Sequence, residues 1–174
     1  EMEDFSDVEL DHCLIKNNRY TGIDNYKGAL QVTASSFELH NDYGVYSYKA
    51  ESRIESCTFK ANWKYGVYCW YEAPFPLDSS IVHNCGIDLG GVLEPSSQYG
   101  VLSNLDKMRL SGCKIKDYFQ GGIKLDNSNS LILDCDLRRV GVGSTVGIYA
   151  YNNSTPRIRH CNVSSQPIGV KASL

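Results

Sequence analysis

The chain has 174 residues, enough for one domain with a real core and too few for two comfortable ones. Its 17 Lys and Arg stand against 20 Asp and Glu, a formal charge of −3, so no global basic field exists to gather nucleic acid or coat an anionic membrane. No apolar run approaches the roughly 18 residues of a membrane-spanning helix, and Glu1-Met2-Glu3-Asp4 lacks the order of a signal peptide.

A repeat organises everything from about Val8 to Lys171. The first unit sets the pattern: Leu10, then Cys13 three residues later, Ile15 two further on, and finally Gly22 followed by Ile23. The second repeats it with Val32, Ser35, Phe37 and Gly44, and the third with Ile54, Cys57, Phe59 and Gly66. The fourth is irregular. Pro76 falls where the first apolar position is expected, Ser79 fills the Cys slot, Ile81 the next apolar one, and Gly100 follows after 34 residues instead of 22. This reading places a 12-residue insertion within Cys85 to Gln98, a loop rising beside the repeat scaffold, with Cys85 as the one thiol free to be exposed. Units five to seven restore the order with Leu110, Cys113, Ile115 and Gly122, then Ile132, Cys135, Leu137 and Gly147, then Ile158, Cys161, Val163 and Gly169.

Each unit reads as three short strands, apolar-x-x-Cys-x-apolar and then Gly-apolar-x-small, joined by turns too short for helices. A unit of about 22 residues that cannot bury its own apolar side must stack on copies of itself. A period near 18, as in left-handed hexapeptide solenoids, does not fit. The pattern resembles the right-handed parallel β-helix of the pectin-lyase-like superfamily, which includes pectate lyases and polysaccharide epimerases. The resemblance implies an all-β, single-stranded, right-handed parallel β-helix of about seven coils, forming one domain over residues 1–174. Seven strands at about 4.8 Å give a rod of roughly 34 Å. Neither end carries an evident cap, so the expectation is a piece of a longer protein or end-to-end self-association.

The cysteines read as an inward ladder of Cys and Ser, inert because thiols pack as small apolar groups. A 4.8 Å coil spacing exceeds the roughly 3.8 Å between Cβ atoms that a disulfide prefers, which leaves a disulfide or a metal site as minor alternatives. Cys69 joins the inward small column that includes Ser47 and Ser103.

Aromatic placement carries the functional reading. Counting the repeat Gly as zero, positions +1 and +3 point inward and +2 and +4 outward. The outward columns run Asp24, Tyr46, Tyr68, Leu102, Lys124, Tyr149, Lys171 and Tyr26, Tyr48, Trp70, Asn104, Asp126, Tyr151, Ser173. The preceding turns add Tyr20, Tyr43, Trp63, Tyr65, Tyr99, Tyr118 and Phe119. All 12 Tyr and both Trp thus fall in one third of each coil. Two accounts fit: an aromatic ladder stiffening an exposed sheet, or a ligand face offering flat rings and hydroxyl edges to a glycan. In pectate lyases and their relatives the substrate groove runs over this strand, so the resemblance implies a saccharide surface of Tyr46, Tyr48, Trp63, Tyr65, Tyr68, Trp70, Asn104, Tyr149 and Tyr151.

Aromatic side chains give way to polar ones near the irregular unit, at Asn104, Lys124 and Asp126, with His83, Asp88 and Glu94 on or near the loop. Lyase or epimerase chemistry on a uronic acid needs a base and a cation, and Lys124 with Asp126 alternate correctly to face one ligand. Hydrolysis would need a second carboxylate such as Asp24, Asp88 or Glu94. No Asp-Asp pair, no Asp-Pro-His segment and no outward arginine on this strand supports an enzyme, and a solvated Lys–Asp ion pair is the plain alternative. Ca²⁺ has no clear site, and no other cofactor is indicated. Gly141-x-Gly143 misses the dinucleotide spacing, and Asn152, Asn153 and Asn162 head sequons. The leading expectation is a polysaccharide-acting module in an extracellular or cell-surface setting. The alternatives are a non-catalytic glycan- or protein-binding segment of a cell-surface or phage protein, and an intracellular repeat scaffold.

Overall fold

The computed structural model describes residues 7–71, 80–89, 98–139 and 146–173. These residues form 21 strands in three parallel seven-stranded sheets, each coil contributing one strand to each sheet. The first sheet holds β1 (Val8–Asp11), β4 (Leu30–Thr33), β7 (Ser52–Glu55), β10 (Ile81–His83), β13 (Arg109–Ser111), β16 (Leu131–Leu133) and β19 (Arg157–Arg159). The second holds β2 (Leu14–Lys16), β5 (Ser36–Glu38), β8 (Thr58–Lys60), β11 (Gly86–Asp88), β14 (Lys114–Lys116), β17 (Asp136–Arg138) and β20 (Asn162–Ser164). The third holds β3 (Ile23–Tyr26), β6 (Tyr43–Tyr48), β9 (Tyr65–Trp70), β12 (Tyr99–Asn104), β15 (Gly121–Asp126), β18 (Val146–Tyr151) and β21 (Ile168–Ala172). No helix occurs among the described residues, in agreement with the solenoid reading.

Three inward apolar columns build the core, each strand giving one. Val32, Ile54, Val82, Leu110 and Ile132 line the first sheet; Phe37, Phe59, Ile87, Ile115 and Leu137 the second; Val45, Val67, Val101, Ile123 and Ile148 the third. The Phe37 and Phe59 rings stack at 5.0 Å and 9°, which is the coil spacing expressed in side chains. Between the first and second sheets the chain turns on a single left-handed residue: His12, Ala34, Ser56, Asn84, Gly112, Asp134 or His160, with φ between 46° and 63°. Such backbone is unfavourable for a side chain, yet the ladder fixes it, because the turn N–H of each of the first six coils still donates to the next coil, as from Ser56 to the His83 carbonyl at 3.0 Å.

The repeat glycines are explained by proximity. A Cβ on Gly122 would lie 2.6 Å from Leu137 Cδ2 and 2.8 Å from the Gly147 carbonyl; on Gly100 it would lie 2.3 Å from Ile115 Cγ2. The column is glycine because the third strand enters directly over the second-sheet apolar column and under the next coil's backbone.

The fourth unit departs from the sequence reading. Val82 pairs with Ile54 and Leu110, so it takes the first apolar position, Cys85 takes the Cys slot, and Ile87, paired with Phe59 and Ile115, takes the next. Pro76 and Ser79 lie outside the described residues, and Ile81 faces outward and is half-buried. Cys85 is 2 % exposed, inside the ladder and not in a loop. The extra length is therefore split. Trp70 to Val82 spans 12 residues where Tyr48 to Ile54 spans six, and Ile87 to Gly100 spans 13 where Phe59 to Gly66 spans seven. Two six-residue insertions on opposite sides of the Cys85 turn replace the single insertion expected within 85–98.

All seven cysteines are free thiols. Cys57, Cys85, Cys113 and Cys135 are buried in consecutive coils, and each donates to the carbonyl two residues earlier, at 3.2–3.3 Å. Ser35 holds the same place in the second coil, its hydroxyl donating to the Thr33 carbonyl at 2.8 Å. Burial pushes the Cys69 thiol up. Two polar features were not visible in the spacing. One is a corner ladder, in which His40 N donates to Asn62 Oδ1 at 3.2 Å and Gln98 Nε2 donates to the Asn62 carbonyl at 3.2 Å. The other is a buried serine cluster, Ser103, Ser128 and Ser130, linked at 2.7–3.3 Å beside Asp106.

Candidate functional site: the outer face of the third sheet

Alternation along the third sheet puts the +2 and +4 columns outside, as the register requires: Tyr46 pairs with Tyr68, Tyr48 with Trp70, and Lys124 with Tyr149. A third outward column, missed in the sequence, begins the same strands with Tyr43, Tyr65, Tyr99 and then Gly121. Its absent side chain is functional in packing terms. A Cβ on Gly121 would lie 2.6 Å from Tyr99 Cε1, so the Tyr99 ring lies over that glycine. The Gly121-Gly122 doublet was the available signal.

These columns make rows of rings running along the axis. Tyr43 stacks on Tyr65 at 5.5 Å and Tyr65 on Tyr99 at 6.1 Å, Tyr26 stacks on Tyr48 at 4.9 Å, and Trp70 meets Tyr48 edge-on at 5.0 Å. Tyr46 meets Tyr68 at 5.1 Å along the axis, and Tyr43 with Tyr46 and Tyr65 with Tyr68, each at 5.5 Å, join the rows across the sheet. The innermost part of the patch is dry: Tyr65, Tyr99 and Leu102 are 9 %, 8 % and 6 % exposed and form a second apolar cluster on the outside of the barrel. Tyr65 therefore presents little surface, while Tyr46, Tyr48, Tyr68, Trp70, Tyr149 and Tyr151 are half-buried and Tyr26 is 61 % exposed. Trp63 sits in the preceding turn, is exposed, and makes no ring contact with the rows among the described residues. Tyr118 points inward, 1 % exposed, its hydroxyl hydrogen-bonded to Gln166 at 2.7 Å; its place four residues before Gly122 matches His40 and Asn62, so it belongs to the corner ladder. Cations edge the rows, with Lys27 Nζ 5.4 Å from the Tyr26 ring centre and Lys49 Nζ 5.1 Å from that of Tyr48.

The rows stop at the fifth coil. There Lys124 Nζ sits between two rings, 5.3 Å from Tyr99 and 5.1 Å from Tyr151. Asp126 accepts a short hydrogen bond from the Tyr151 hydroxyl on one oxygen and one from Asn152 Nδ2 at 2.8 Å on the other. Lys124 and Asp126 are not paired with each other, so the plain ion-pair reading does not describe them either. Tyr149 shares a hydrogen bond with Ser173 at 3.1 Å. Burial, with the Tyr68 phenol alongside, pushes Tyr46 up to about 12. Burial and the Asp126 carboxylate push Tyr151 further the same way. Both phenols therefore keep their protons at neutral pH, and Tyr151 donates its own to Asp126.

Other residues expected near the polar centre lie elsewhere. His83 is on the first sheet, its Nδ1 3.0 Å from Ser111 Oγ, and Asp88 is on the second, paired with Lys116 at 2.8 Å. Neither faces Asp126. Asp24 shares the Lys124 column but four coils away, and Glu94 lies outside the described residues. The two-carboxylate arrangement is thus not assembled from Asp126 with Asp24 or Asp88. No cluster of three metal-ligating side chains occurs among the described residues. Among the described residues no helix is long and apolar enough to cross a membrane.

Comparison with protein families matches residues 25–173 to the family described as right handed beta helix region. Comparison with curated proteins and with solved structures finds no match.

Proposed function

The chain belongs to the right-handed β-helix family, and from that premise we propose that it is a polysaccharide-acting module binding an extended glycan along the outer face of the third sheet. The observation that carries the reading is the confinement of ring rows to this one face, interrupted by a polar step at Asn104, Lys124 and Asp126 and resumed at Tyr149 and Tyr151. A polymer lying along the axis would meet equivalent positions every ~4.8 Å. Because neighbouring rings cover one another's faces, contact is made through ring edges, hydroxyls and the exposed part of Tyr26. Lys124 supplies a cation for an acidic substituent, while Asp126, held by Tyr151 and Asn152, is an oriented acceptor for sugar hydroxyls. In this reading Lys124 and Asp126 are the pair on which any turnover depends.

The burial of Tyr65 and Tyr99 favours a second reading, in which the rows mainly stiffen a scaffold. A glycan array probed with the wild type, Trp70→Ala and Lys124→Ala, with melting temperature as control, separates the two. The proposal expects weakened glycan signals at nearly unchanged melting temperature. A strong fall in melting temperature with every glycan signal unaltered would establish the scaffold reading.

A further inference from the structure

The outer face of the first sheet is separate from the ring rows, and it is divided by charge. Its β1, β4 and β7 half presents Glu9, Asp11 and Glu55, with Arg53 bonded to Glu55 at 2.9 Å. Its β13, β16 and β19 half presents Arg109, Arg157 and Arg159, and no acidic side chain shares those outward positions. Leu131 and Leu133 point outward beside these arginines and are half-buried. None of the three arginines makes an ion pair among the described residues. The division follows the whole chain, since residues 107–174 hold ten of the 17 Lys and Arg but four of the 20 Asp and Glu.

The strand β10 lies midway, with three strands of the sheet on either side. A two-fold axis along the strand direction at β10 would lay this face on that of a second copy, rods antiparallel. It keeps each outward column opposite itself and reverses the order of coils. Glu9 then meets Arg157, Asp11 meets Arg159, Gln31 and Thr33 cover Leu131 and Leu133, and Ile81 meets its own counterpart. The one like-charged match, Arg53 with Arg109, has Glu55 beside it. A trough of about 550 Å³ borders the acidic half, lined among others by Glu9, Gln31, Glu51 and Ile81, and gives the arginines of a facing copy room. All these positions lie on the side of the rod, so the surface is the same whatever stacks on its ends.

We infer that two copies of this chain pair side by side and antiparallel through the outer faces of their first sheets, with Arg157 and Arg159 of each against Glu9 and Asp11 of the other. The contact is isologous and closes at two chains. A face one strand wide is at the small end of protein interfaces, so the pair is reversible, and its opposed charges set register and make it sensitive to salt. The ring rows of both copies stay open.

Sedimentation equilibrium of the full chain over a range of concentrations, at low and high ionic strength, tests this. The wild type should pass from one chain to two at low salt, go no further, and return toward one as salt rises. Arg157→Glu with Arg159→Glu should stay monomeric. Adding Glu9→Arg with Asp11→Arg to that same chain should restore the dimer, because the reversed charges again meet their complements, which also shows that the first variant fails by charge and not by folding. Ile81→Asp, with melting temperature as control, should be monomeric too, since the two-fold sets the new carboxylate against itself. A wild type that stays monomeric at low salt or grows past two chains, a fourfold variant that stays monomeric, or an Ile81→Asp protein that dimerises as the wild type does would overturn the inference.

Discussion

Replacing Gly122 by alanine probes the feature that recurs in every coil. The added methyl would lie 2.6 Å from Leu137 Cδ2, 2.8 Å from the Gly147 carbonyl and 3.2 Å from Tyr118 Cε1. Two of these neighbours are buried side chains with little room to retreat, and the third is backbone of the next coil. Forcing a methylene-sized group into such a core costs about 1–3 kcal/mol. Gly86→Ala is the matched control, because its methyl would meet only Thr58 Cγ2 at 4.0 Å on the outer face of the second sheet. There the substitution removes freedom from the unfolded chain without a clash and should be neutral or stabilising by about 0.4–1 kcal/mol. Urea denaturation of the three proteins reads the difference directly. Equal midpoints for the Gly122 and Gly86 variants would refute the claim that proximity, and not chain flexibility, selects glycine in this column.

Three further outcomes follow from the structure. Thiol labelling of the native protein should reach only the partly exposed Cys13 and Cys161 quickly, with all seven thiols reacting after denaturation; rapid labelling of Cys85 in the native state would remove it from the ladder. Burial, offset by hydrogen bonds from Ser80, raises the Asp106 carboxyl above its ordinary 3.8. Its contribution to stability is therefore complete below that pH and is lost as pH rises through the folded value, so Asp106→Asn should flatten this fall, seen as urea midpoints at pH 4 and pH 7. Trp70→Ala should weaken glycan binding by about 1–3 kcal/mol in a direct titration, the scale of losing one aromatic anchor at a contact.

Much of the fold was legible because its constraints repeat. A buried apolar position, a small thiol and a close-approach glycine recur at fixed offsets, and each is dictated by packing on the next coil. The fourth unit misled for a physical reason. Its two six-residue insertions flank an intact Val82-x-x-Cys85-x-Ile87 strand pair, yet the glycine spacing reports only their sum. Looking for the apolar-x-x-Cys-x-apolar pattern itself, without fixing its distance from glycine, would have found it. Tyr118 was misplaced because its column, four residues before the glycine, mixes His40, Asn62 and Tyr118, which share a corner position and no chemistry. On the outer face, period-2 alternation placed Tyr46, Tyr68, Lys124 and Asp126 correctly. It could not show that Lys124 would lie between two rings while Tyr151 and Asn152 took Asp126, since those partners depend on rotamers and on the neighbouring coil.

The central claim is that the ring rows of the third sheet are a glycan-binding surface, and the two tryptophans allow a direct measurement. Trp70 is part of the rows and Trp63 stands apart in a turn. Titrating a panel of acidic and neutral polysaccharides into the Trp63→Phe and Trp70→Phe proteins, with indole fluorescence as the readout, isolates each site. A saturable change in Trp63→Phe, where only Trp70 reports, together with little or none in Trp70→Phe, is the predicted result. No change in Trp63→Phe with any polysaccharide, or an equal change in both proteins, would contradict it.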